Sequence, residues 1–235
     1  MLDKPPGMSS NAALQRVKRL YGAAKAGHTG ALDPLATGVL PVCLGQATKL
    51  SGYLLAAEKR YLVRAAVGAC TTTGDAEGEV TRRSDATLLT RQRLEAALPA
   101  FTGDLRQRPP MYSALKRDGK PLYELARAGL EVEREARPVH VGTLRLTAFE
   151  PDAFELDVRC SKGTYIRTLV EDLVAATGQC AHVASLRRVE AGPFTEADLV
   201  SPEALEQAAS LGSAALDALL LPPLAGLAAW PRVEV

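Results

Sequence analysis

Asp33 is the only carboxylate between Ala26 and Thr48, and His28 is the only histidine, in the stretch AGHTGALDPLATGVLPVCLGQAT. The rest of that stretch is small, apolar or an uncharged turn-former. An acid without a counter-charge nearby must find a distant cation or stay in water, because burying it unpaired is costly. Pro34 disfavours the helical region for Asp33, which predicts an extended loop. Gly27, Gly30 and Gly38 allow tight turns and close approach by another backbone. A lone ionised carboxylate in dry surroundings can serve as a nucleophile or a base. A surface Asp-Pro turn has the same local spacing, but the length of uncharged sequence around it points to a cleft. Arg167 is a candidate cation for Asp33, and nothing in the local sequence fixes that pairing.

The elements that must hold these residues can be read in part. LDKPPGMSSN is a turn segment, since Pro5-Pro6-Gly7 continues neither a helix nor a central strand. Ser9, Ser10 and Asn11 then offer N-caps for a helix to about Tyr21. KRYLVRAAVG alternates: Tyr61, Val63, Ala65 and Val67 share one face of a predicted strand, and Arg60, Leu62 and Arg64 the other. TTTGDAEGE follows as a turn. Thr90 can cap a helix with Leu94, Leu98 and Phe101 inward, stopped by Gly103. Residues 138–149 and 153–160 read as a hairpin with Phe154, Leu156, Val158 and Cys160 on one side. SKGT opens a helix with Ile166, Leu169, Val170 and Leu173 at helical spacing and Gly178 at its end, and Arg167 lies in its first turn. A strand around HVASLRRVEAG comes next. From Thr195 the chain is acidic and helical, with Ser201 as N-cap and Pro202 at the first helical position. This order predicts an α+β fold, a sheet with many antiparallel connections and helices packed on it.

Composition narrows the function. The 235 residues are 47% hydrophobic, enough to bury a full core, and no apolar run approaches the ~20 residues that span a bilayer. The first residues lack the apolar core of a signal peptide. A cytoplasmic protein with no membrane partner is expected. Cys43, Cys70, Cys160 and Cys180 have no CxxC spacing, which predicts buried thiols rather than a zinc site or a disulfide framework. The net charge of +1 hides an asymmetry: residues 1–64 carry +6 and residues 189–235 carry −6. Residues 105–137 read as an insertion of net +3 in which prolines, tyrosines and bases mix before a short helix closed by Gly129. A polyanion-binding front and a nucleic-acid grip through phosphate contact and stacking fit these patterns. Solvated faces and an ordinary surface loop fit them too.

GHTGALDPLATGVLPVCLGQATK closely resembles the signature of the TruB-type tRNA pseudouridine synthases. Three further stretches match in order: LDKPPGMSSN, then KRYLVRAAVG with TTTGDAEGE, then CSKGTYIRTLVEDL with AHVASLRR. The resemblance runs from Leu2 to about Pro223. It implies a pseudouridine synthase fold: a large, mixed, mostly antiparallel sheet flanked by helices, with a basic insertion. Residues 1–190 would be the catalytic domain with 105–137 as its RNA-binding insertion, 191–230 a helical extension, and 231–235 the start of a PUA-like domain. It also implies a strand ahead of Leu2, so that the chain would be N-terminally clipped and would lack most of the PUA-like domain.

The implied activity isomerises the T-loop uridine of tRNA. The N1–C1′ bond breaks, the uracil turns, and C5 joins C1′. The resemblance makes Asp33 the essential aspartate, Tyr61 the tyrosine stacked on the target base and Arg167 the arginine that ion-pairs with the aspartate. Leu186 packs beneath the site, and His28 enters the T-loop in place of the flipped base. Lys4 and Pro5 support the catalytic loop, and Lys162 and Tyr165 of SKGTY join the substrate-binding set. No cofactor and no metal is expected, the partner is the tRNA T-arm, and a monomer is the expected state. Flipping the base costs a few kcal/mol, and stacking on an aromatic ring returns about 1–3 kcal/mol. A guanidinium beside a carboxylate favours its charged form. A non-catalytic tRNA-folding chaperone and a synthase acting on another RNA are the competing functions.

Overall fold

Four strands and the opening half of a fifth form the main sheet of one unit of this computed structural model, residues Tyr61–Leu186. The structure describes residues 1–227. The expected start of a PUA-like domain at 231–235 lies outside the described residues. A second unit comprises Met1–Arg60 and the chain from Arg187. The division falls inside two strands, Lys59–Val67 and Ala181–Ala191.

In the first of these units, strand order runs Ala181–Ala191, Lys59–Val67, Ala153–Cys160, Arg137–Phe149, Gly103–Gln107. Arg137–Phe149 and Ala153–Cys160 are the expected hairpin, antiparallel from Phe149↔Phe154 to Val141↔Cys160 with two bulges. Its alternation is met: Phe154, Leu156, Val158 and Cys160 are all buried. The helix Ile166–Ala175 buries Ile166, Leu169, Val170 and Leu173, each contributing about 1.5–3 kcal/mol of apolar burial. Thr90 caps Arg91–Ala97 by accepting from the Arg93 amide at 3.2 Å.

Two elements correct the sequence reading. Gly103–Gln107 is a strand paired with Arg137–Val141, so both ends of the expected 105–137 insertion belong to the sheet. The excursion proper carries a hairpin, Lys116–Arg117 against Lys120–Pro121, turned by Asp118 and Gly119 at φ 51° and 82°. The helix Leu122–Arg127 follows and ends at Gly129, φ 73°. Leu2–Lys4, read as turn, is the second correction. It is a strand antiparallel to Thr37–Leu40, and Val200 also bridges to Leu2.

In the other unit, Thr37–Leu40 runs parallel to the end of Ala181–Ala191 through Arg187↔Thr37 and Arg188↔Gly38. That strand turns back antiparallel into Phe194–Thr195. Ser9 caps the helix Ser10–Leu20 by accepting from the Ala12 amide at 3.1 Å. The helix buries Ala13, Leu14 and Val17, and Lys18 and Arg19 face its negative end. Ser201 caps Pro202–Leu211 as expected. Val39, Cys43, Leu54, Ala191 and Phe194 form a core cluster. Among the described residues, no helix is long and apolar enough to cross a membrane.

Candidate functional site

Asp33 sits in the loop that joins Ala26–His28 to Thr37–Leu40, half-buried, with Leu32 and Ala36 buried beside it. The loop is fastened on both sides of the acid. Before it, the Ser10 hydroxyl accepts from the Leu32 amide at 2.7 Å and donates to the Leu32 carbonyl at 3.0 Å. After it, the Pro34 carbonyl accepts from Lys4 Nζ at 3.2 Å and from the Gly7 amide at 2.9 Å. Lys4 is fully buried, and its ammonium also donates to the carbonyls of Pro5 and Met8, each at 2.7 Å. The Ala36 amide closes the turn on the Asp33 carbonyl at 3.0 Å. The Lys4 ammonium therefore ties the Asp33 loop to the Pro5–Met8 turn.

Arg188, 1% exposed, holds the flanks of the same loop, donating to Val39 O at 2.7 Å and Gly30 O at 3.1 Å. Gly38 makes this packing possible. Its φ is 97°, and a Cβ there would stand 2.2 Å from the Arg188 carbonyl oxygen. His28 pairs with Val42 in a two-stranded sheet, and its buried Nδ1 has no hydrogen-bond partner among the described residues. Burial, and then the positive charge of Arg188, hold the imidazole pKa below its ordinary value. Both effects favour the neutral form of the ring.

In the Tyr61–Leu186 unit, Tyr61 and Leu186 are buried on their strands, 8% and 5% exposed. Tyr165 stands at the start of the helix Ile166–Ala175. Its backbone is gripped by the buried Gln107 side chain, which accepts from Tyr165 N at 2.7 Å and donates to Tyr165 O at 2.9 Å. Lys162 lies in the exposed turn just before. Arg167 is 3% exposed, yet carries a guanidinium. It donates to Thr73 O at 2.5 Å and Tyr112 O at 2.8 Å, and its Nε stands 3.7 Å from Asp75 Oδ2.

Asp75 escaped the sequence reading, which took TTTGDAEGE as a turn. The segment is a turn whose acid points inward. Asp75 Oδ1 accepts from Thr73 Oγ1 at 2.5 Å and from the Glu77 amide at 3.1 Å. The turn is stapled to Val183 by Ala76 N to Val183 O at 2.9 Å and Val183 N to Gly74 O at 3.0 Å. Ser10, Gln107 and Arg188 were missed as well. The only available signal was the position of Arg188 within AHVASLRR, a stretch already singled out.

Chemically, the two units present different groups. One offers a carboxylate on a loop fixed by buried cations, and an imidazole whose neutral form is favoured. The other offers a buried guanidinium held by backbone carbonyls and an acid, with an aromatic ring and a leucine on the neighbouring strands.

Comparison with known proteins gives concordant matches. Residues 18–166 match the family model for the N-terminal domain of TruB family pseudouridylate synthases. Residues 167–227 match that for the C-terminal domain of tRNA pseudouridylate synthase B. The chain is 59% identical over 236 residues to tRNA pseudouridine synthase B of Stutzerimonas stutzeri (strain A1501), covering all of this chain and 77% of that protein. It is 58% identical over 236 residues to the protein of the same name from Pseudomonas aeruginosa (strain UCBPP-PA14), with the same coverage. Among solved structures it resembles a chain of a Cbf5-Nop10-Gar1 complex, with TM-score 0.74 and 28% identity over 96% of this chain and 60% of that one. It also resembles a chain of an H/ACA RNP bound to a substrate RNA containing 2′-deoxyuridine, with TM-score 0.71 and 25% identity over 96% of this chain and 59% of that one.

Proposed function

The chain belongs to the TruB family of pseudouridylate synthases, and we propose that it isomerises the T-loop uridine of tRNA to pseudouridine. The N1–C1′ bond breaks, the freed uracil turns, and C5 bonds to C1′. C5 gives up its proton and N1 gains one, so the product is an isomer of the substrate.

In this reading Asp33 is the reacting acid, as nucleophile or as base. The observation that carries it is the clamp on the Leu32–Pro34 backbone by Ser10, Lys4 and Gly7. A carboxylate whose own loop is fixed on both sides needs little reorganisation when it meets the sugar or base. Arg167 is the guanidinium that keeps the acid ionised. Tyr61 stacks on the flipped base, and Leu186 floors the place where free uracil must be retained. His28 fills the gap that the base leaves in the RNA, and as a neutral ring it can do so without carrying a charge into the stack. Lys162 and Tyr165 contact substrate from the turn before Arg167. Residues 1–190 form the catalytic domain, and the basic excursion within 105–137 grips the T-arm. The protein acts as a monomer in the cytoplasm.

The test is incubation with an unmodified tRNA transcript, followed by mapping of pseudouridine. One new pseudouridine in the T-loop is expected. Product at another position would shift the substrate assignment, and absence of product with intact refolding of misfolded tRNA would replace catalysis with a chaperone role.

A further inference from the structure

The basic excursion leaves the sheet at Gln107 and returns at Arg137, two residues that pair with each other across neighbouring strands. The Gln107 side chain is buried and closes a ring on the backbone of a single residue. Its Oε1 accepts from Tyr165 N at 2.7 Å and its Nε2 donates to Tyr165 O at 2.9 Å. A carboxamide can serve a backbone N–H and C=O together, as a strand partner does. Tyr165 stands just ahead of the helix Ile166–Ala175 and gives it no side-chain cap, and its carbonyl also accepts from the Leu169 amide at 3.0 Å. Gln107 therefore pins the first turn of that helix to the root of the excursion. A second tie lies a little further along the excursion, where Arg167 Nη2 donates to Tyr112 O at 2.8 Å. Between the two ties the chain reads Arg108-Pro109-Pro110-Met111, and two prolines with fixed φ leave it little freedom. Beyond it, Lys116, Arg117 and Lys120 are exposed on the hairpin of the excursion, and Lys162 is exposed on the turn ahead of Tyr165.

We propose that Gln107 is a positioning residue for RNA binding: through the Tyr165 backbone it holds the basic excursion and the SKGT turn in one arrangement, so that both make their RNA contacts together. The proposal rests on the reading that the excursion and the Lys162–Tyr165 turn touch tRNA. Two contact segments already fixed relative to each other bind without the ordering cost that loose ones carry. Release of the Tyr165 backbone lets the turn and the root of the excursion move independently, and each must then be ordered by the RNA itself. Saturating RNA imposes the same arrangement again, so affinity falls more than kcat.

The test uses the whole chain and an unmodified tRNA transcript, with wild type, Gln107→Met and Gln107→Asn. Methionine keeps the length of the arm and loses both bonds, whereas asparagine keeps both groups on an arm too short to reach. Val174→Ala, buried in the last turn of the same helix, lowers stability without touching the tie. Kd for the transcript is measured by filter binding, kcat by pseudouridine formation, and exchange of the Tyr165 amide proton by NMR. Gln107→Met is expected to bind about tenfold more weakly and Gln107→Asn about threefold, with kcat within about twofold of wild type. The Tyr165 amide is expected to exchange faster in Gln107→Met, and Val174→Ala to bind as wild type does. Wild-type affinity in the folded Gln107 variants, or an equal loss in Val174→Ala, would overturn the proposal. Should Gln107→Met fail to fold, the affinity of Gln107→Asn decides alone. A wild type that binds the transcript and forms no pseudouridine removes the proposed activity, and the affinities still decide the role of Gln107.

Discussion

The hydroxyl of Ser10 accepts from the amide of Leu32 at 2.7 Å and donates to the carbonyl of the same residue at 3.0 Å. One side chain thus satisfies both backbone groups immediately ahead of Asp33, in a buried setting. Ser10→Ala leaves both without that partner, and an unsatisfied buried polar group costs about 1–3 kcal/mol. A lower denaturation midpoint with an unchanged denaturant slope is expected. Helix capping by Ser9 is retained, so the loss belongs to the Leu32 contact. An unaltered midpoint would mean that this clamp does not restrain the loop.

Gly38 and Gly22 separate two costs of replacing a glycine. Both have positive φ, 97° and 55°. A Cβ on Gly22 meets nothing within 4 Å, whereas one on Gly38 would stand 2.2 Å from Arg188 O. Gly22→Ala is expected to cost only backbone strain, about 1–2 kcal/mol. Gly38→Ala must also push apart a pair of bonded strands, so a loss above about 4 kcal/mol or failure to fold is expected. Equal melting temperatures for the two variants would contradict the Gly38–Arg188 packing.

Much of this was legible beforehand, and the pattern of what was not is physical. The helix Ile166–Ala175 followed from the spacing of Ile166, Leu169, Val170 and Leu173, because one buried face repeats with the helical period. The Asp33 loop followed from Pro34 and its glycines. Leu2–Lys4 was unreadable as a strand, since three residues beside two prolines show no period. The end of Gly103–Gln107 was absorbed into the insertion because Arg106 is exposed at the edge of a sheet. Asp75 went unnoticed because its meaning depends on a guanidinium far along the chain. Arg188 was masked by its type: arginine is expected at the surface, and only three-dimensional pairing with Gly30 and Val39 carbonyls makes it a core residue.

Glu171 links pH to stability. Its pKa is raised from 4.5 to about 7, so the folded state holds the proton more tightly than the unfolded one. As pH rises from about 4.5, the unfolded chain ionises first and stability falls, until the folded group also ionises near 7. The full shift bounds the effect at about 3 kcal/mol, and solvent screening of a partly open group reduces it. Glu171→Gln is expected to melt higher than wild type at pH 8 and to lose most of that advantage at pH 4. An advantage independent of pH would rule out the titration of Glu171 as its cause.

His28 is expected to titrate below its ordinary pKa of 6.5, because burial and Arg188 both disfavour the imidazolium. Its folded state binds the proton less readily, so His28 contributes stability above about pH 6.5 that is lost as the pH falls. An NMR titration of the His28 ring checks this directly. A midpoint at or above 6.5 would contradict the effect of burial and of Arg188 on the ring.

The most direct measurement concerns Asp33 itself. Asp33→Asn keeps the size and loop position of the side chain and removes its charge. Wild type and variant are compared for pseudouridine formed on an unmodified tRNA transcript, with thermal melting to confirm that both are folded. Wild type is expected to convert the T-loop uridine to completion, and the folded variant to form none even after prolonged incubation. Product from the folded Asp33→Asn protein, at any appreciable fraction of the wild-type rate, would contradict the assignment of Asp33 as the reacting group.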